Sequence, residues 1–296
     1  MIRIAIPKGS LEKGTFDLFE QADLPIKRRD ERDYNLKIDD PRVSEALMLR
    51  PQEIAKYIQE DEFDLGITGL DWIMETESSV REVADLGFSR GGWNNVKIVL
   101  ATHKENPINR LEDISASAKI VTEYPRITRR FFKRLGKGKV RIRLSYGATE
   151  VKVPRLADYL VDVTESGETL KKNNKKILAT ILESSTKLIA NIKAFDDPKK
   201  KKEIEEIASL LLGAIRAREK VLIKMNIVQD DVAKLVDLLP SLRAPTISPL
   251  ATTEEEDKWV MVETVVEKRV LNILLPKIKE IGGKDILELK VSKIVP

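Results

Sequence analysis

The chain has 296 residues, 42% of them apolar, and its 52 basic and 48 acidic residues leave a net charge of +4. That length calls for two or three domains, and the charges are interspersed rather than segregated, unlike the basic face of a dedicated nucleic-acid binder. With no cysteine and one histidine, disulfides, thiolate or histidine-cluster metal sites and cysteine nucleophiles are excluded. No apolar stretch approaches the ~20 residues of a membrane span, and the chain runs from Met1 straight into a strand-like segment without a leader. The expectation is a cytoplasmic protein that engages neither membrane nor nucleic acid.

Ile2 to Ile6 predicts a strand, Pro7-Lys8-Gly9-Ser10 a turn, and Leu11, Leu18 and Phe19 the apolar face of a helix. Lys8 and Gly9 at a helix start suit a phosphate contact, because a cation, a flexible backbone and a helix dipole coincide there. P-loop spacing is absent. Pro51 to Glu60 predicts a helix, and Arg50 before it is either a phosphate clamp or a surface ion-pair partner. Phe63 to Trp72 predicts strand, glycine turn and helix, with Gly66 and Gly69 flanking Thr68 and Asp71 in the first helical turn, where a carboxylate is favoured as ligand group or as cap.

Lys97 to Ala101 and Lys119 to Thr122 predict strands. The helix that opens at Pro125 carries Arg126, Arg129 and Arg130 with Tyr124 beside it: a polyphosphate and base site, or a solvated basic face. His103 follows a strand without partners and reads as structural. Tyr159 to Val161 predicts a short buried strand that ends in Asp162. The loop Asp162-Val163-Thr164-Glu165-Ser166-Gly167-Glu168-Thr169-Leu170 then offers a carboxylate, converging N–H groups and two hydroxyls, a cradle for phosphate or else a surface turn. Glu165 and Glu168 oppose an anion unless they point away, and Lys171 and Lys172 offset them.

Strands alternating with helices through residue 170 imply α/β layers with parallel strands. The pattern predicts helices over 178–192 and 198–220, then strands and helices in the order β-α-β-β-α-β from residue 221, the order of a ferredoxin-like unit. Ala244 to Leu250 carries two prolines, which suits a sheet edge or a ligand-facing loop.

Ile4 to Leu11, Asp64 to Trp72, Thr122 to Phe132, Ser145 to Glu150, Asp162 to Leu170, Leu182 to Asn191 and Ala244 to Leu250 together resemble the ATP phosphoribosyltransferases of histidine biosynthesis, in the long form with a C-terminal regulatory domain. The resemblance implies an α/β fold of two domains like type II periplasmic binding proteins, followed by a ferredoxin-like (ACT-like) domain. It implies catalytic domain I at 1–95 and 183–216, closed by the helices after Leu182, domain II at 96–182, and the regulatory domain at 217–296. By similarity, Asp162 would contact the ribose of phosphoribosyl pyrophosphate and Glu165, Ser166, Gly167, Glu168 and Thr169 its 5-phosphate. Lys8, Gly9, Arg50, Asp71, Tyr124 and Glu150 would lie around ATP and the pyrophosphate, with Asp162, Glu150 and Asp71 as the candidate catalytic carboxylates. Thr246 and Ser248 would contact histidine as feedback inhibitor. Mg²⁺ held mainly by substrate phosphates and a homo-oligomer, dimer or hexamer, are implied as well. Lys172 and Asn174 depart from the family's usual residues there. A non-catalytic, periplasmic-binding-like sensor of a small anion is the alternative, and an RNA binder using the Arg126 to Arg130 helix a third.

Overall fold

The protein is described from a computed structural model covering residues 1–30, 32–89, 92–93, 95–239, 244–251 and 258–295. β1 (Ile2–Pro7) is buried along nearly its whole length, as a strand in the middle of a parallel sheet must be. The chain continues through α1 (Glu12–Gln21), β2 (Ile26–Lys27), β3 (Asn35–Ile38), β4 (Val43–Leu49), α2 (Pro51–Gln59), β5 (Leu65–Gly69), α3 (Leu70–Thr76) and β6 (Arg81–Asp85). It then crosses into a second lobe: β7 (Val96–His103), β8 (Lys119–Thr122), α4 (Pro125–Arg134), β9 (Arg141–Leu144), β10 (Tyr159–Thr164), α5 (Glu168–Lys172) and β11 (Lys175–Ser184). It returns as β12 (Thr186–Ala190), α6 (Ile192–Asp196) and α7 (Pro198–Ala217).

The two sheets share one plan. In the first, ordered β2-β3-β4-β1-β5-β12-β6, β1 lies parallel to β4 and β5, and the returning β12 is inserted antiparallel between β5 and β6. In the second, ordered β11-β7-β10-β8-β9, β8 lies parallel to β9 and β10, and β7 runs antiparallel between β10 and β11. Two lobes joined by two crossings, each with an antiparallel strand beside three parallel ones, make a type II periplasmic-binding-protein-like fold.

The stretch expected as a helix over 178–192 is strand instead, β11 and β12, so a strand rather than helices first closes the lobe after Leu182. Ile177, Thr180, Ile181, Thr186 and Ile189 are β-branched, and a stiff χ1 favours the pleated sheet over the helix. β10 also extends to Thr164, so Asp162 lies within the strand rather than at its end.

The chain forms two compact units, Met1–Ser209 and Leu210–Pro296. The second holds β13 (Lys220–Val228), α8 (Val232–Leu238), β14 (Thr246–Pro249), β15 (Trp259–Glu267), α9 (Lys268–Glu280) and β16 (Lys284–Lys290). Its sheet order β14-β15-β13-β16, antiparallel throughout, is ferredoxin-like. Val221, Ile223, Met225 and Ile227 of β13 alternate inward and pack with Leu235, Leu271, Leu274 and Ile278 of the two helices, the period-2 and period-3.6 patterns meeting in one core. β14 is an edge strand, where its proline costs no ladder bond. Among the described residues no helix is long and apolar enough to cross a membrane.

Asn191 ties the returning chain into the first lobe. Its buried side chain accepts from Ala194 N at 3.0 Å, capping α6, and donates to Ile58 O at 2.7 Å beside the end of α2. Asn191→Ala leaves the buried Ala194 N–H without its acceptor and removes the shorter of two bonds to Ile58 O, which keeps Asp61 N at 3.3 Å, and should cost about 1–3 kcal/mol, read by denaturant unfolding. A loss within experimental error would show that the return is anchored elsewhere.

Candidate functional site

The loops that follow the parallel strands β1, β4, β5, β8, β9 and β10 meet at the interlobe cleft, the usual ligand edge of such sheets, joined there by Asp162 within β10 and by Ser184 at the end of the antiparallel β11. In the first lobe the register pairs Pro7 with Leu49, so the next residues, Lys8 after β1 and Arg50 after β4, become neighbours. Lys8 Nζ donates to Tyr34 Oη at 2.8 Å and lies 4.2 Å from its ring centroid. That ammonium, and Arg50 more weakly, hold the exposed Tyr34 hydroxyl below its ordinary pKa. Gly9 makes the turn at φ +83°, a left-handed conformation that favours glycine. Lys8, Gly9, Arg50, Asp71, Glu123 and Tyr124 all line one cavity of about 310 Å³.

Asp71, one residue into α3, forms the floor of this cavity. Its Oδ1 accepts from Ser184 Oγ at 2.7 Å and its Oδ2 from Tyr124 Oη at 2.9 Å, while Asp71 N donates back to Ser184 Oγ at 3.0 Å. The N–H groups of Asp71 and Trp72 at the start of α3 also favour the charged carboxylate. A Cβ on Gly69 would fall on Asp71 Oδ1, which is why the turn before α3 needs a glycine. Tyr124 lies over Trp72, ring centroids 4.7 Å apart at 31°. Burial raises the Asp71 carboxyl above its ordinary pKa against those hydrogen bonds. Burial first, and then the Asp71 charge, hold the Tyr124 hydroxyl well above its own, so the proton of this pair stays on tyrosine.

In the second lobe, Glu123 follows β8, Ser145–Glu150 follows β9, and the Asp162–Leu170 loop follows from β10. They enclose a second cavity of about 470 Å³ lined by Glu123, Glu150, Asp162, Glu165, Ser166 and Thr169. Asp162 Oδ1 accepts from Val163 N at 2.7 Å. Gly167, at φ +79°, makes the turn into α5 and donates to Thr164 Oγ1 at 2.9 Å, and Glu168 is exposed on α5. A Cβ on Gly167 would approach Ile177 Cδ1 to 3.3 Å. Lys152 braces the opposite wall, donating to Ser145 Oγ at 2.5 Å and Gly147 O at 3.0 Å. Asn174 has φ +56°, a left-handed position that suits the glycine usual there.

Glu123 and Val163 border both cavities. Glu123 and Ser184 escaped the sequence reading. The available signal for Glu123 was its place between a strand end and Tyr124; Ser184 lay in the stretch misread as helix. The arginine helix does not face the cleft as a polyphosphate site. Arg126 Nη1 donates to Thr76 O at 2.9 Å and Arg130 to Met74 O, both near Glu77, and Arg129 is exposed. Two of the cations an RNA-binding face needs are thereby turned onto α3. Thr246 and Ser248 lie on β14 opposite Glu263 and Met261, on the sheet face away from the helices. Among the described residues no group of three or more acidic or histidine side chains is arranged to hold a metal by itself.

The sequence profile described as HisG, ATP phosphoribosyltransferase, matches residues 50–213, and that of the HisG C-terminal domain matches residues 217–293. An ATP phosphoribosyltransferase of Pelotomaculum thermopropionicum is 41% identical over 295 residues, covering 100% of this chain and 99% of that one. One of Chlorobaculum parvum is 41% identical, covering 100% and 98%. Among solved structures, a chain of the ATP phosphoribosyl transferase (HisG:HisZ) complex from Thermotoga maritima matches with a TM-score of 0.61 at 26% identity, covering 72% of this chain and 96% of that one.

The Asp71 environment has a pH signature. Its carboxyl stays protonated in the folded chain above its ordinary 3.8, so the stability it contributes is complete below that value and is lost as pH rises through the folded pKa. The stability difference between wild type and Asp71→Asn should therefore shrink as pH rises from about 4. Melts of both proteins across pH check this; a difference that grows with pH means a shift of opposite sign.

Proposed function

The chain belongs to the ATP phosphoribosyltransferase family, and from that premise we propose that it transfers 5-phosphoribosyl from phosphoribosyl pyrophosphate to N1 of ATP, releasing pyrophosphate, as the first step of histidine biosynthesis. The observation that carries this reading is the pair of cavities sharing Glu123 and Val163: one with cations and stacked aromatic rings, one with a glycine turn and hydroxyls. Family membership among pentosyltransferases sets aside the non-catalytic anion sensor.

In this reading the first cavity takes ATP, with Tyr124 and Trp72 beside the base and Lys8, Gly9 and Arg50 toward phosphates. The second takes the donor, with Asp162 at the ribose and Glu165, Ser166, Gly167, Glu168 and Thr169 framing the 5-phosphate. The lone pair of adenine N1 forms the new bond to C1′ as the bond from C1′ to the pyrophosphate oxygen breaks. Pyrophosphate leaves with that electron pair, and the configuration at C1′ inverts. Catalysis then rests on holding N1 in line and on fixed charges around an oxocarbenium-like sugar. Asp71 already accepts from Tyr124 and Ser184, so it orients the floor of the nucleotide site. Glu150 and Asp162, which line the donor cavity, are the carboxylates available to stabilise the sugar cation or to draw the adenine N6 proton.

The donor cavity is walled by Glu123, Glu150, Asp162 and Glu165, a set that repels a bare polyphosphate. Hard carboxylate oxygens suit Mg²⁺, which binds through one or two such groups plus substrate phosphates. These residues fit it as a substrate-borne ion, and when bound it neutralises the charge on the leaving pyrophosphate. The proposed division is domain I at 1–95 and 183–216, domain II at 96–182 and a regulatory domain at 217–296, with histidine bound near Thr246 and Ser248 as feedback inhibitor. A cytoplasmic homo-oligomer, dimer or hexamer, completes the reading.

Mixing the protein with ATP, phosphoribosyl pyrophosphate and Mg²⁺ should release pyrophosphate, with histidine lowering the rate. Gly167→Val should cut turnover by at least about 100-fold, the loss of a positioned transition-state contact, with the melting transition retained. Full turnover in that variant would remove the loop from the donor site. Thr246→Ala with Ser248→Ala should keep turnover and blunt inhibition; unchanged inhibition would move histidine elsewhere.

A further inference from the structure

Helix α4 begins with a vacancy in its capping. Pro125 occupies its first turn, and the residue before it, Tyr124, gives no side-chain cap, its hydroxyl being out at Asp71 and its ring too long for the role short polar side chains fill. The early N–H groups of a helix need acceptors from somewhere. They find one on α3: Glu75 Oε1 accepts from Arg126 N at 2.9 Å, and Oε2 from Arg126 N at 3.1 Å and Ile127 N at 2.9 Å. Glu75 is only 8% exposed, and its negative charge meets the positive end of the α4 dipole.

Glu75 is four residues after Asp71, so the two share one face of α3. Both carboxylates hold the same short segment, Asp71 by the Tyr124 hydroxyl and Glu75 by the backbone two and three residues on. The side chains between them, Trp72 and Met74, pack against the second-lobe core with Tyr124, Ile127 and Phe132. One carboxylate thus fixes where α4 starts relative to α3, and the other depends on that placement to reach its tyrosine.

We propose that Glu75 is a positioning residue of the nucleotide site: by capping α4 from the neighbouring helix, it sets the Tyr124 ring on Trp72 and the Tyr124 hydroxyl on Asp71. This assignment rests on reading the Lys8, Arg50 and Asp71 cavity as the ATP site.

Variants of Glu75, a double-mutant cycle and two readouts test it. Glu75→Gln keeps an amide oxygen that can still accept both N–H groups, whereas Glu75→Ala leaves both donors, the buried Ile127 N–H among them, unmatched. Glu75→Ala should raise the KM for ATP about 10-fold or more, the scale of a lost charge-assisted hydrogen bond, with the KM for phosphoribosyl pyrophosphate within about 2-fold, and Glu75→Gln should restore most of it. In a double-mutant cycle with Tyr124→Phe, Glu75→Ala should cost less than it does alone. Equal rises in both KM values, wild-type kinetics in Glu75→Ala, or additive costs in the cycle would overturn the proposal. If Glu75→Ala does not fold, Glu75→Asp, too short to reach both N–H groups, takes its place against Glu75→Gln. The second readout needs no substrate: the near-UV circular dichroism of the Trp72–Tyr124 stack should be lost in Glu75→Ala and kept in Glu75→Gln. Loss of that signal without any ATP-dependent kinetics in the wild type would keep the role of Glu75 and discard the assigned reaction. An unchanged signal alongside active wild type would discard Glu75 alone.

Discussion

The hydrogen bond from Tyr124 to Asp71 spans the join between the lobes, and the geometry of the cleft follows from it. A carboxylate this buried is costly unless its oxygens are matched, and here Ser184, Tyr124 and two N–H groups of α3 supply the matches. These donors come from three parts of the chain: α3 of the first lobe, the segment after β8 in the second, and the last residue of β11 before the chain crosses back. Gly69 permits the carboxylate to fold over the start of α3, and Pro125 starts α4 directly behind the tyrosine. Since Glu123 precedes Tyr124 and borders both cavities, fixing Tyr124 also fixes the boundary between them.

Charge is distributed unevenly across this boundary. The first-lobe rim carries Lys8 and Arg50, brought together by the parallel register of β1 and β4. The second-lobe cavity is acidic. An anionic donor therefore enters most readily with its charge covered by a cation, while negative charge that develops near the first lobe meets fixed positive groups. That asymmetry suits a reaction in which a polyphosphate leaves and a sugar briefly turns cationic, since each wall then faces charge of the opposite sign.

Much of this was legible from residues. Strand-turn-helix transitions at Lys8–Gly9, Gly69–Asp71 and Tyr124–Pro125 carry strong local chemistry, and glycine, proline and capping residues mark their places without tertiary information. The βαββαβ order of the second unit was readable because β13 and β15 are runs rich in apolar and β-branched residues set between helical segments, while the strict alternation in them is one of burial rather than of residue type. Residues 178–192 were not: their apolar positions fit a helical period as well as a strand, and only pairing with β7 and β5 decides between them. Ser184 was hidden by that error. The arginines of α4 were visible, but the direction of Arg126 and Arg130 is set by the Thr76 and Met74 carbonyls and by Glu77 at the end of α3, contacts between positions some fifty residues apart that no local pattern encodes. Whether a basic helix faces solvent, ligand or protein is decided by what stands opposite it.

The insertion of β12 between β5 and β6 bears on how the protein is made. A ribosome delivers β6 long before β12, so the first sheet has a gap one strand in from its edge until the whole second lobe has emerged. The nascent amino-terminal half must wait with the buried edge of β5 unpaired, a state open to wrong partners. The second lobe has all five of its strands in one uninterrupted stretch of chain, so it can finish first and present β12 to a waiting slot. In such a protein the lobe that is begun first is the one that can be completed only last.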